Sequence, residues 1–142
     1  MAHPVCPFDT ALSNDTPLVV LAEDNAELRG LLAGALERDG FRVAQAATGR
    51  RLVALVTDLL ESGECLQLVI TDVRMPEASG LDAARALLDA GHRVPLILMT
   101  AYSDSWTRSR AAELGAILLD KPLSLTTLRR EVRRAVDGLA AR

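Results

Sequence analysis

Apolar residues along this chain come in short continuous runs, separated by stretches in which they recur every three or four positions. Leu18 to Ala22, Leu66 to Thr71 and Leu96 to Thr100 run without alternation, the pattern of strands covered on both faces. Arg42 to Ala46 is a weaker run, and Ala116 to Leu119 supplies a fifth. Between these runs the helical period takes over. Leu28, Leu31, Leu32, Ala35 and Leu36 share one face of a helix that Asn25 can cap and Gly40 can close. Leu52 to Leu60 lies within a second predicted helix ending near Gly63, and further helices are predicted over Leu81 to Leu88 closed by Gly91 and about Asp104 to Leu114 closed by Gly115. Ser124 can cap a last helix that runs to about Leu139. Glycine just past a helix end fits the left-handed closing position.

Five strands alternating with five helices predict an α/β fold, one parallel sheet with helices on both faces. Residues 1–17 are rich in Pro, Thr, Ser, Asn and Asp and show no period. They read as a flexible extension, and residues 18–140 as a single domain. In an open parallel sheet, ligands bind outside the carboxyl ends of the strands, where strand order reverses. The residues at and just past those ends therefore define the candidate site. Glu23 and Asp24 come after the first strand, Asp72 after the third, Thr100 ends the fourth, and Lys121 and Pro122 stand just beyond the fifth. The second strand brings nothing comparable, which suits an outer position.

Composition narrows the function classes. The chain has 142 residues, 49% of them hydrophobic, which is enough for one packed domain. Its net charge of -3 argues against nucleic acid as the main ligand. Of the 16 basic residues, Lys121 is the only lysine; all the others are arginine. No signal peptide and no apolar stretch of membrane-spanning length is present, so a soluble, cytoplasmic protein with reduced thiols is expected. Cys6, Cys65, His3 and His92 are isolated and form neither zinc-site nor disulfide spacing.

Three carboxylates gathered at one sheet edge repel one another unless a cation intervenes. Oxygen ligands without His or Cys select a hard ion, and Mg2+ is the cytoplasmic candidate. A carboxylate is also a nucleophile towards phosphorus, giving an aspartyl phosphate. Phosphoryl transfer needs positive charge on the phosphoryl oxygens, which a metal and the Lys121 ammonium together would supply. Thr100 can donate a hydrogen bond to one of those oxygens.

Four segments carry a family resemblance: Leu-Ala-Glu-Asp-Asn at 21–25, Ile-Thr-Asp-Val-Arg-Met-Pro at 70–76 with Gly80, Met-Thr-Ala-Tyr at 99–102, and Asp-Lys-Pro at 120–122. In this order, each after its strand, they resemble the response-regulator receiver domain of two-component signalling over roughly residues 18–140. The resemblance implies a flavodoxin-like sheet of order 2-1-3-4-5. It implies that Asp72 accepts a phosphoryl group and that Glu23, Asp24, Asp72 and the backbone carbonyl of Arg74 hold Mg2+, Asp24 directly and Glu23 through water. Thr100 and Lys121 would bind the phosphoryl oxygens, and the bond before Pro122 would be cis. The implied partners are a sensor histidine kinase or phosphotransfer protein and an output protein of unknown identity, with neither nucleic acid nor membrane; a homodimer through the last helix is left open. The chain would be a regulator and not an enzyme, its chemistry confined to self-phosphorylation and autodephosphorylation.

One position departs from the family. Receivers commonly carry Tyr or Phe three residues before the lysine, where this chain has Leu118. That puts the aromatic readout in question, with Tyr102 available to take over some coupling. It also keeps open a receiver-like protein-binding module that is never phosphorylated. An Asp-nucleophile phosphatase would need an acid two residues after Asp72, where Arg74 stands. A flavodoxin would need a hydroxyl- or Gly-rich phosphate loop where Glu23 and Asp24 stand. Elsewhere, Gly30 and Gly34 suggest close packing of the first helix on the sheet, Trp106 a surface contact beside the Thr100 loop, and the arginine pairs 129–130 and 133–134 a solvated face.

Overall fold

The computed structural model describes residues 16–140; Cys6, His3 and the extension up to residue 15 lie outside them. The elements are β1 (Leu18–Ala22), α1 (Ala26–Arg38), β2 (Arg42–Ala46), α2 (Gly49–Glu61), β3 (Leu66–Asp72), α3 (Gly80–Asp89), β4 (Leu96–Thr100), α4 (Ser105–Glu113), β5 (Ile117–Asp120) and α5 (Leu125–Ala140). The strands pair in the order β2-β1-β3-β4-β5. All pairings are parallel, with Val20 opposite Val69, Ile70 opposite Ile97 and Leu98 opposite Leu118. Strand order reverses at β1 and β3, so the crevice for a ligand opens between their carboxyl ends.

Side chains alternate across each strand, and each set meets its own helices. Val19, Leu21, Leu68, Ile70, Ile97 and Met99 pack on Leu32 and Leu36 of α1 and on Leu128 and Val132 of α5. On the other face Val20, Ala22 and Val69 pack on Leu52 and Val56 of α2 and on Ala83 and Leu87 of α3. Each fully buried Leu or Val contributes roughly 1.5–3 kcal/mol. A smaller cluster under α3 and α4 joins Val73, Leu81, Leu98 and Ala111, with Leu118 against it. Leu118 is thus held in an apolar layer.

Helix ends carry the expected chemistry. Asn25, Thr48, Ser79 and Asp104 each accept a hydrogen bond from a first-turn N–H of α1, α2, α3 and α4. Gly40, Gly63, Gly91 and Gly115 have φ of 98°, 82°, 89° and 69°, the region that favours glycine. The Lys121–Pro122 bond is cis.

One sequence expectation needs correction. Gly30 and Gly34 do not bring α1 close to the sheet: a Cβ on Gly30 would meet nothing within 4 Å, and one on Gly34 only the Arg38 guanidinium at 3.9 Å. Alanine at either position is therefore expected to stabilise the protein by roughly 0.5–1 kcal/mol through helix propensity, read as a higher urea midpoint. A lower midpoint would show that the glycines serve packing after all. The four α5 arginines are exposed, as expected of a solvated face, and two of them also make contacts. Arg129 grips Asp39 with two hydrogen bonds of 2.7 Å, and Arg133 lies over the Phe41 ring at 5.2 Å. These contacts fasten α5 to the end of α1, and the Arg129 hydrogen bonds hold the Asp39 pKa below its usual value.

Candidate functional site

The carboxyl ends of β1, β3 and β5 bring the acidic residues and the lysine together. Lys121 leaves β5 with its backbone N–H donating to the Thr100 carbonyl at 2.7 Å, which fixes where its side chain begins. Its Nζ then donates to Glu23 Oε1 at 2.8 Å and to Asp72 Oδ2 at 2.7 Å. Glu23 and Asp72 are buried, at 1% and 7% exposure, so these are charge-assisted bonds to carboxylates largely shielded from water. Burial disfavours the Lys121 ammonium, but the hydrogen bonds and charges of Asp72 and Glu23 outweigh it and raise its pKa above the ordinary lysine value.

The remaining carboxylate oxygens are also engaged. Glu23 Oε2 accepts from the Asn25 N–H at 3.0 Å, and Asp72 Oδ1 accepts a longer bond from the Arg74 N–H at 3.4 Å. Asp24 differs: it is exposed. Carboxylate oxygens of Glu23, Asp24 and Asp72 nonetheless lie within 4.8 Å of one another. Their donors are all oxygen, and a lysine that already balances part of the charge stands beside them. Such a set suits a hard divalent cation that keeps several of its waters.

Thr100 is buried at the end of β4, and its hydroxyl is turned into its own loop. Oγ1 accepts from the Tyr102 N–H at 3.0 Å and donates to the Tyr102 carbonyl at 3.1 Å. The hydroxyl thus belongs to the β4–α4 loop and not to the hydrogen bonds around Asp72. Beyond it Tyr102 and Trp106 are largely exposed, with the guanidinium of Arg74 over the Tyr102 ring at 5.2 Å and that of Arg110 over Trp106 at 5.7 Å.

Two further residues shape the site through contacts between distant elements. Arg29 Nη1 donates to the Glu23 carbonyl at 2.7 Å while its Nε donates to Gln45 Oε1 at 3.3 Å, tying the loop after β1 to the edge strand. Gly80 packs so close to β3 that a Cβ there would stand 1.9 Å from the Asp72 carbonyl oxygen. No local pattern announces either contact, because each depends on where distant elements meet. Among the described residues, no helix is long and apolar enough to cross a membrane.

Comparison with known proteins gives the family. Residues 19–133 match the family model described as the response regulator receiver domain. The transcriptional regulatory protein CpxR of Escherichia coli K12 is 35% identical over 98 residues, covering 69% of this chain and 39% of CpxR. TctD of Salmonella typhimurium LT2, also a transcriptional regulatory protein, is 34% identical over 116 residues, covering 81% of this chain and 50% of TctD. The chain therefore spans half or less of these relatives' lengths. The crystal structure of a CheY-like receiver domain protein from Methanospirillum hungatei JF-1 superposes with a TM-score of 0.80 at 18% identity, covering 89% of this chain and 98% of that one, which establishes the shared fold. With its five parallel strands in the order 2-1-3-4-5, this chain belongs to the response regulator receiver domain family.

Proposed function

We propose that this domain is a phosphorylation-controlled switch in which Asp72 accepts a phosphoryl group from a histidine kinase or phosphotransfer protein. Lys121 carries the reading. Its ammonium bridges two buried carboxylates at 2.8 and 2.7 Å, next to a third. Burying two acids against one lysine costs more than an apolar filling would, so stability alone does not account for the arrangement. Phosphoryl chemistry does.

Glu23, Asp24 and Asp72 would hold Mg2+ together with the Arg74 carbonyl; when bound, the ion neutralises charge on the phosphoryl oxygens. Asp24 is exposed and suited to direct ligation, whereas both oxygens of Glu23 already accept hydrogen bonds, which suits contact through water. The Asp72 carboxylate attacks phosphorus, the new O–P bond forming as the donor's N–P bond breaks and the imidazole leaves with the electron pair. Lys121 moves with the charge from carboxylate to phosphoryl oxygen, its compact ammonium rotating where a planar guanidinium would have to be repositioned.

The hydroxyl of Thr100 can donate to a phosphoryl oxygen only by releasing the Tyr102 carbonyl. That exchange loosens the loop bearing Tyr102, which leads into the first turn of α4 with Trp106, so the altered surface offered to an output protein includes these two exposed aromatics. Leu118, packed against Val73, Leu81, Leu98 and Ala111, leaves the aromatic part of the readout to this loop. The domain acts in this reading as a regulator with a cytoplasmic partner.

Intact mass after incubation with Mg2+ and a small acyl-phosphate donor tests the proposal. One added phosphoryl group is expected on the wild type and none on Asp72→Asn, with Trp106 fluorescence changing only in the former. No gain would leave the unphosphorylated binding module as the better reading, and equal gain in both proteins would put the phosphoryl group on a residue other than Asp72.

A further inference from the structure

The segment that carries Asp72 into α3 is held at both ends. At its neck the Gly80 N–H donates to the Val73 carbonyl at 2.8 Å. Its tip rests on the start of α2, where the Pro76 carbonyl accepts from the Gly49 N–H at 3.4 Å and the Glu77 carbonyl accepts from the Arg50 N–H at 2.8 Å. The first N–H groups of a helix have no partner within it, and here the loop's carbonyls satisfy two of them while Thr48 Oγ1 takes that of Arg51 at 3.0 Å. The approach leaves no room for a side chain. A Cβ on Gly49 would stand 2.0 Å from the Ala78 carbonyl oxygen, 2.7 Å from its carbon and 3.1 Å from the Ala78 Cβ.

The loop's shape also costs backbone strain. Glu77 and Ala78 have φ of 55° and 84°, a region that non-glycine residues rarely occupy. Such conformations persist only where surrounding contacts over-determine them. Contact with the start of α2 supplies that constraint.

We infer that Gly49 is a positioning residue for the candidate site: through the loop of residues 73–79 it sets where the Arg74 carbonyl and the Asp72 carboxylate stand relative to Glu23 and Asp24. This rests on the reading that those groups hold Mg2+. Gly49 itself touches none of them; it acts by letting the loop come down onto α2. A methyl group at 49 lifts the tip, and the strained residues 77 and 78 relax towards ordinary backbone angles.

Calorimetric titration of Mg2+ into the wild type, Gly49→Ala and Gly34→Ala tests this, with thermal unfolding of each in the same buffer. The wild type and Gly34→Ala should bind alike, and Gly49→Ala should bind about ten-fold more weakly or worse, the usual effect of disturbing the groups that orient metal ligands. Should Gly49→Ala fail to fold, the double variant with Ala78→Gly removes the 3.1 Å contact and frees residue 78 to yield; folded, it should still bind Mg2+ weakly. Wild-type affinity in folded Gly49→Ala, or in the double variant used in its place, overturns the inference. Absence of Mg2+ binding by the wild type overturns the functional reading, and this inference with it.

Discussion

Replacing Lys121 by methionine is expected to lower the unfolding free energy at pH 7 by roughly 3 kcal/mol and to abolish switching. The chain length is kept and the charge is lost, so Glu23 and Asp72 are left buried with no cation against them. Such losses run to about 3–5 kcal/mol when one partner of a buried pair is removed, and the 21% exposure of the Lys121 side chain places this case at the lower end. In the wild type the raised Lys121 pKa sets the pH range of this contribution. Its contribution is whole below the ordinary lysine value of about 10.4 and is lost as pH rises through the higher folded value. Urea unfolding of both proteins at pH 7 and 11 checks these expectations. Equal stability at pH 7 would contradict them. Lys121→Arg should recover part of the stability and little of the switching.

Gly80→Ala is expected to be the most damaging of the glycine substitutions, at roughly 3 kcal/mol or more. The added Cβ would lie 1.9 Å from the Asp72 carbonyl oxygen and 2.9 Å from both its carbon and Thr71 Oγ1. These atoms belong to a buried central strand and have nowhere to go. Relief requires α3 to back away, stretching the 2.8 Å bond from Gly80 N–H to the Val73 carbonyl and carrying the Asp72 backbone with it. The effect should therefore appear both in the denaturant midpoint and in the rate of phosphoryl uptake. A variant within about 1 kcal/mol of wild type would mean that this contact is softer than its distance implies.

The fold was readable from the chain wherever the apolar pattern was strong. Leu18–Ala22, Arg42–Ala46 and Leu96–Thr100 are strands at the predicted bounds. Where the first turn of a helix is polar the pattern is silent: α2 begins at Gly49, three residues before Leu52, because Gly49, Arg50 and Arg51 carry no apolar signal. Strand β5 is Ile117–Asp120, one residue later than predicted, since its last pairing, Thr100 with Asp120, involves a polar residue.

For the site, the topology rule located every candidate residue at the right edge of the sheet, and Glu23, Asp24, Asp72 and Lys121 do converge. What the chain order left unspoken is the division among them. Lys121 hydrogen-bonds Glu23 and Asp72, Asp24 stays exposed, and Thr100 bonds Tyr102. The close approaches at Gly49 and Gly80 were equally silent, because a glycine's reason lies in what comes to rest against it. Gly30 and Gly34 show the reverse: a suggestive spacing with open space behind it.

The central claim is that Asp72 is the phosphoryl acceptor. Its most direct test is reduction of the donor-treated, Mg2+-containing protein with borohydride, in which hydride converts an aspartyl phosphate to homoserine and releases inorganic phosphate. Peptide sequencing by mass spectrometry then reads the residue. Homoserine at position 72 alone is the predicted result; reduction at Glu23 or Asp24, or none anywhere, would contradict it.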